Sequence, residues 1–169
     1  MKFAAPKIIK NSINKDQRGT LQEIFKKKDF NEDFIFSLLV ECKKDVFRGL
    51  HFQFKKQQAK IVVIGSGKII DYCLDLRKKS PNYLKVFKFK LKKNNILYIP
   101  KGFAHGYLSL SKNTQIIYFL SNYYSKKNEC GIDYNDNKIK LKFGKKTIIS
   151  KKDKKNISID YFEKKFKSL

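Results

Sequence analysis

The chain has 169 residues, 41% of them hydrophobic, a size that suits a single domain spanning residues 1–169 with a core of its own. No stretch approaches the roughly twenty consecutive apolar residues that a membrane span needs, and Met1-Lys2-Phe3-Ala4-Ala5-Pro6-Lys7 lacks the apolar run of a secretory leader, so a cytoplasmic location with no membrane partner is expected. Thirty-nine Lys and Arg against fifteen Asp and Glu give a net charge of +24, but the excess is almost all lysine in a chain crowded with Asn and Ile, which reads as compositional drift rather than a nucleic-acid surface.

Lys26 to Phe34 is predicted as a short helix near the N-terminus. Ile61-Val62-Val63-Ile64 then reads as a strand running into Gly65-Ser66-Gly67-Lys68, a glycine-flanked hairpin turn, with Ile69 to Leu76 as the return strand. After Ser80-Pro81-Asn82, Phe87, Phe89 and Leu91 share one face of a strand while Lys88 and Lys90 take the other. Asn94-Asn95 turns the chain into Ile96-Leu97-Tyr98-Ile99, which stops at Pro100. Thr114 to Leu120 and Ile139 to Phe143 are further strands, and Ile159 to Leu169 is expected to be a short C-terminal helix. Many short strands at this spacing argue for an antiparallel sandwich or barrel.

Chemistry-bearing residues are few. The two histidines are His51, in Arg48-Gly49-Leu50-His51-Phe52-Gln53, and His105, in Pro100-Lys101-Gly102-Phe103-Ala104-His105-Gly106. The second motif is the Pro-x-Gly-x-x-His that ends one cupin motif. A metal-binding cupin carries His-x-His in its first motif, and Gln53 stands where the second histidine would be. Two imidazoles are a thin ligand set for a catalytic metal, so no metal is expected. Of the three arginines, Arg18, Arg48 and Arg77, Arg48 lies closest to a histidine, and its planar fork suits phosphate or carboxylate in a way lysine does not. Arg77 reads equally well as half of a structural ion pair. Cys42, Cys73 and Cys130 are an odd number without paired spacing and read as free thiols of a reducing compartment.

In order along the chain, these blocks resemble the nucleotide-sugar 3,5-epimerases. The resemblance runs from about Asp16 to Asp153. It rests on Arg48 to Gln53 with Gln58-Ala59-Lys60, on Asp75-Leu76-Arg77-Lys78-Lys79-Ser80-Pro81, and on Ile99 to Gly106. Tyr118, Tyr123-Tyr124, Glu129, Asn135-Asp136 and the closing Ser150-Lys151-Lys152-Asp153 continue it. The resemblance implies an all-β, cupin-type jelly roll with short N- and C-terminal helices, assembled as a homodimer that shares strands. It also implies proton transfer next to a 4-ketone on a nucleotide-diphospho-6-deoxy sugar, with no cofactor. His51 would take the proton, with an imidazole's near-neutral affinity suited to the task. Asp153 would orient it, Lys60 would face the enolate oxygen, and Tyr118 would return a proton from the opposite face. Arg18, Glu23, Arg48, Gln53, His105, Tyr124 and Glu129 would bind substrate.

The chain departs from the family pattern at several places. Thr20 and Leu21 follow Gly19 where aromatics are usual, and Phe36-Ser37-Leu38-Leu39-Val40 stands in place of Gln-x-Asn-x-Ser. Phe119 follows the catalytic tyrosine where lysine is usual, and Tyr134 replaces a tryptophan. The proton-transfer residues are retained while the nucleotide pocket changes. Two other readings differ in class: a sugar ketoisomerase on the same fold, disfavoured by Gln53, and a basic nucleic-acid-binding module, for which no arginine stripe is present.

Overall fold

The structure, a computed structural model, describes residues 4–166. In chain order its strands are β1 (Lys7–Ile9), β2 (Ile13–Asp16), β3 (Gly19–Gln22), β4 (Phe36–Cys42), β5 (Val46–Gln53), β6 (Lys60–Ser66) and β7 (Lys68–Asp75). They continue as β8 (Val86–Lys92), β9 (Ile96–Ile99), β10 (Phe103–Ser109), β11 (Thr114–Leu120), β12 (Glu129–Gly131) and β13 (Ile148–Ile149), followed by one helix, α1 (Ile159–Lys165). One sheet has the order β1-β9-β6-β11-β4. The other has the order β12-β5-β10-β7-β8, with β13 on β5, while β2 and β3 form a separate hairpin. Apart from the parallel β13, the pairings within both sheets are antiparallel. This is the jelly-roll sandwich the sequence resemblance implies.

Alternation decides which face each side chain takes. Between the sheets, Val62, Ile64, Leu97, Ile99 and Ile116 meet Ile69, Cys73, Leu91 and Phe103 in one buried cluster. The intervening residues Ile61, Val63 and Ile96 face outward, where Phe25, Phe30, Phe34 and Phe119 pack over them. On the outer face of the other sheet, Phe47, Leu50, Phe52, Leu74 and Ala104 are covered by Ile159, Phe162 and Phe166. Ser158 caps the helix that carries these three, its Oγ accepting the Tyr161 amide.

Two expected elements differ. Residues 26–34 form only a 3-10 turn at Lys27–Asp29, with no side-chain cap on its first amides. Three lysines at the start oppose the helix dipole, and Phe25, Phe30 and Phe34 pack on one another, with Phe25 stacked on Phe119 at 5.1 Å. Tertiary packing of the rings outweighs local propensity. Residues 139–143 alternate like a strand but pair with none. Their amides turn back to Asp136 and Tyr134, Lys140 has φ +41°, and Ile139, Leu141 and Phe143 pack as an irregular segment on the outer cluster. The C-terminal helix ends at Lys165, and residues 167–169 lie outside the described residues.

Candidate active site

At one end of the sandwich the sheets separate around a cavity of about 810 Å³. Its position follows from a local irregularity in β5. His51 pairs with His105, and Arg48 with Tyr107, so three steps on β5 match two on β10. This bulge brings both Arg48 and His51 to the cavity side, which strict alternation would forbid. It needs close backbone contact: a Cβ on Gly49 would lie 2.5 Å from the Gly106 Cα, and one on Gly106 would lie 2.7 Å from the Arg48 carbonyl oxygen. The glycines of the two histidine motifs are therefore packed face to face.

His51 and Asp153 form a dyad, Nε2 to Oδ1 at 2.8 Å. A carboxylate only accepts, so Nε2 is the nitrogen that donates to it, and in the neutral tautomer this leaves Nδ1 as the acceptor. Asp153 is buried, and its second oxygen accepts the Gly49 amide at 3.3 Å. Burial pushes this carboxyl up, but the hydrogen bond and charge of His51, with the Gly49 amide, outweigh it and hold the pKa below the ordinary value. Ser150 Oγ accepts the Asp153 amide and fixes the turn that presents it.

A second, deeper dyad stands beside the first. His105 Nε2 donates to Asp71 at 2.8 Å, and Asp71 also accepts the Cys73 thiol at 3.3 Å. Burial lowers the His105 pKa despite Asp71, which favours the neutral ring. Lys60, at the start of β6, lines the opposite wall, and burial brings its pKa down to about 8 against the pull of Cys73, Asp71 and Glu129. Tyr118 lines the same wall, its ring 5.9 Å from that of His105. Burial, then Tyr107 and Asp71, push its hydroxyl well above the ordinary tyrosine value, so it stays protonated. On the rim, Tyr124 donates to Glu129 at 2.8 Å and Lys152 pairs with Glu129 at 2.5 Å. Among the described residues no group of three or more His, Cys, Asp or Glu is placed to hold a metal ion.

The chain matches the family model described as dTDP-4-dehydrorhamnose 3,5-epimerase over residues 1–160. It belongs to that family. The epimerase of Shigella flexneri is 35% identical over 160 residues, which are 87% of this chain and 88% of that one. The solved epimerase of Sulfolobus tokodaii superposes with a TM-score of 0.83 at 36% identity, covering 92% of this chain and 90% of its own. That of Legionella pneumophila, in complex with dTDP-4-keto-L-rhamnose, gives a TM-score of 0.85 at 30% identity, covering 89% and 86%.

Of the residues singled out from sequence, His51, Lys60, Tyr118, Asp153, Arg48, Gln53, His105, Tyr124 and Glu129 all line one cavity in this family member. Arg18 and Glu23 do not. They belong to the separate β2–β3 hairpin and the segment after it, where exposed Arg18 pairs with Asp16 and Glu23 pairs with Lys26. Gln53 is already committed. Its amide donates to the Lys56 and Tyr123 carbonyls and accepts the Ser125 amide, so it anchors the loop that carries Tyr124 instead of offering a free group. Arg77 is structural: its fork and backbone amide bind buried Asp75, and its guanidinium lies 4.4 Å from the Phe103 ring centre. Asp71 and Tyr107 were missed. An aspartate inside the apolar run Ile69-Ile70-Asp71 was the signal for the first, and the period-two step from His105 was the signal for the second.

Proposed function

We propose that the chain epimerises a nucleotide-diphospho-4-keto-6-deoxy sugar at carbons adjacent to the ketone, through an enolate. The observation that carries this reading is the His51–Asp153 dyad facing Lys60 and Tyr118 across one cavity. The 4-ketone acidifies the protons on carbons 3 and 5. His51 takes one, the C–H electron pair moves into the ring, and the ketone oxygen becomes an enolate oxygen. Asp153 stabilises the imidazolium, and the Lys60 ammonium faces the developing charge, where a fixed cation acts mainly on the transition state. Tyr118 returns a proton to the other face, inverting the carbon. Solvent reprotonates Tyr118 and takes the proton from His51, so no cofactor enters the balance.

Arg48 and Lys152, cations at the cavity, suit the diphosphate of such a substrate. The homodimer belongs to the proposal. Leu39 is 59% exposed on the outer face of the β4 sheet and Leu21 is 64% exposed on the β2–β3 hairpin, apolar surface that a second copy would cover. Free Cys42, Cys73 and Cys130 fit a reducing cytoplasm. Among the described residues no helix is long and apolar enough to cross a membrane.

Incubation with a dTDP-4-keto-6-deoxy sugar in heavy water tests the reading. Wild type should incorporate deuterium next to the ketone, and His51→Ala should not. Undiminished exchange in His51→Ala removes His51 as the base.

A further inference from the structure

The proposed reaction accounts for two sets of polar side chains in the cavity. One set is paired: His51 with Asp153, His105 with Asp71, and Tyr124 and Lys152 with Glu129. The other, Lys60 and Tyr118, faces the enolate. Tyr107, on β10 two residues beyond His105, belongs to neither. Its side chain lines the cavity and is only 3% exposed, and its hydroxyl, shielded from solvent, has no hydrogen-bond partner. Burial, then the Cys42 thiol, push this hydroxyl above the ordinary tyrosine value against the charge of Arg48, so it keeps its hydrogen. A phenylalanine would fill the same space without the desolvation cost of a stranded donor.

Strand register sets Tyr107 directly opposite Arg48, and both side chains line the cavity. Arg48 is exposed and makes no hydrogen bond or ion pair with a protein acceptor among the described residues. A guanidinium has only donors, so it cannot take the Tyr107 hydrogen, and a thiol such as Cys42 is a weak acceptor. Two donors side by side, one of them charged, suit an anionic oxygen placed between them. On the cavity's β4 wall, Phe36, Leu38 and Val40 supply no such oxygen. We propose that the Tyr107 hydroxyl is a substrate-binding group that donates, beside Arg48, to an oxygen of the substrate's diphosphate. The ring tips into the cavity it lines as the anion arrives, exchanging an orphaned hydroxyl for a charge-assisted hydrogen bond. This rests on the reading of the substrate as a nucleotide diphosphate, and not on the proton-transfer steps.

The test compares wild type with Tyr107→Phe in two measurements, calorimetric titration with dTDP and urea unfolding without ligand. Losing one charge-assisted hydrogen bond should weaken dTDP binding about tenfold. The urea midpoint should hold or rise, because the variant no longer buries an unpartnered hydroxyl. A structural role, with the hydroxyl held by Cys42, predicts the reverse: a lower midpoint and unchanged dTDP affinity. An affinity within about threefold of wild type overturns the inference, and so does a lowered midpoint even where affinity falls. If wild type binds dTDP but shows no deuterium exchange next to the ketone of a dTDP-4-keto-6-deoxy sugar, the epimerase reading fails while a tenfold loss in Tyr107→Phe still supports this one. If wild type does not bind dTDP, the nucleotide-diphosphate reading and this inference fall together.

Discussion

Replacing Asp153 with Asn probes the dyad with the smallest change in shape. The carboxylate accepts two hydrogens at once, from His51 Nε2 at 2.8 Å and from the Gly49 amide at 3.3 Å. An amide of the same outline has one acceptor oxygen. If that oxygen stays on His51, the amide NH2 confronts the Gly49 N–H. If it turns to Gly49, the NH2 confronts Nε2 and forces the hydrogen onto Nδ1, the nitrogen the base needs free. Either way the imidazolium formed on proton abstraction loses its counter-charge. A hydrogen bond to a charged group contributes about 1.5–3 kcal/mol, and each 1.4 kcal/mol is tenfold in rate, so exchange should fall roughly ten- to hundredfold. The assay is the initial rate of deuterium uptake from heavy water at saturating substrate. A rate within about threefold of wild type would refute the claim that Asp153 acts through His51.

The same carboxylate makes a pH prediction. Its folded pKa is depressed, so its contribution to stability is complete above the ordinary value near 3.8 and is lost as pH falls through the lower folded value. The gap in urea midpoint between wild type and Asp153→Asn should therefore close on acidification below pH 4. Lys60, with a pKa near 8, must be charged to face an enolate, so the exchange rate should decline as pH rises above about 8, and Lys60→Met should lose the rate at every pH. Tyr118→Phe should keep exchange and lose about 10²-fold or more in inversion, which product NMR separates from exchange. Arg77→Ala should cost about 2–3 kcal/mol in urea unfolding by removing the counter-charge of buried Asp75, which keeps only the Ser80 hydroxyl and the residue-77 amide, without altering the rate per folded molecule.

The arrangement of parts differs in how legible it was. The strands from Ile61 to Ile99, and Thr114 to Leu120, could be read from alternation and turn residues because a half-buried strand repeats every two residues and its turns need glycine or asparagine. The two misread segments, 26–34 and 139–143, are places where aromatic and aliphatic side chains pack on a sheet assembled from distant parts of the chain. A local pattern there names the buried side chains but not the backbone that carries them.

The His51 site divides in the same way. The proposed base, orienting carboxylate, cation and opposing acid were picked out by the resemblance that ordered motifs in the chain carry. That His51 and Arg48 both face the cavity depends on the bulge between β5 and β10, where two glycines meet from positions 49 and 106. That Asp153 is buried at 2.8 Å from an imidazole 102 positions earlier depends on the turn after β13 closing against β5. Gln53 and Arg77 were drawn into structural hydrogen bonds, and Arg18 and Glu23 were carried off on a separate hairpin. Residue type supplies the chemistry a position is capable of. Whether that capacity is left free depends on which hydrogen-bond partners and charges tertiary packing brings within about 3 Å, and that distance is set by chain segments far apart in sequence.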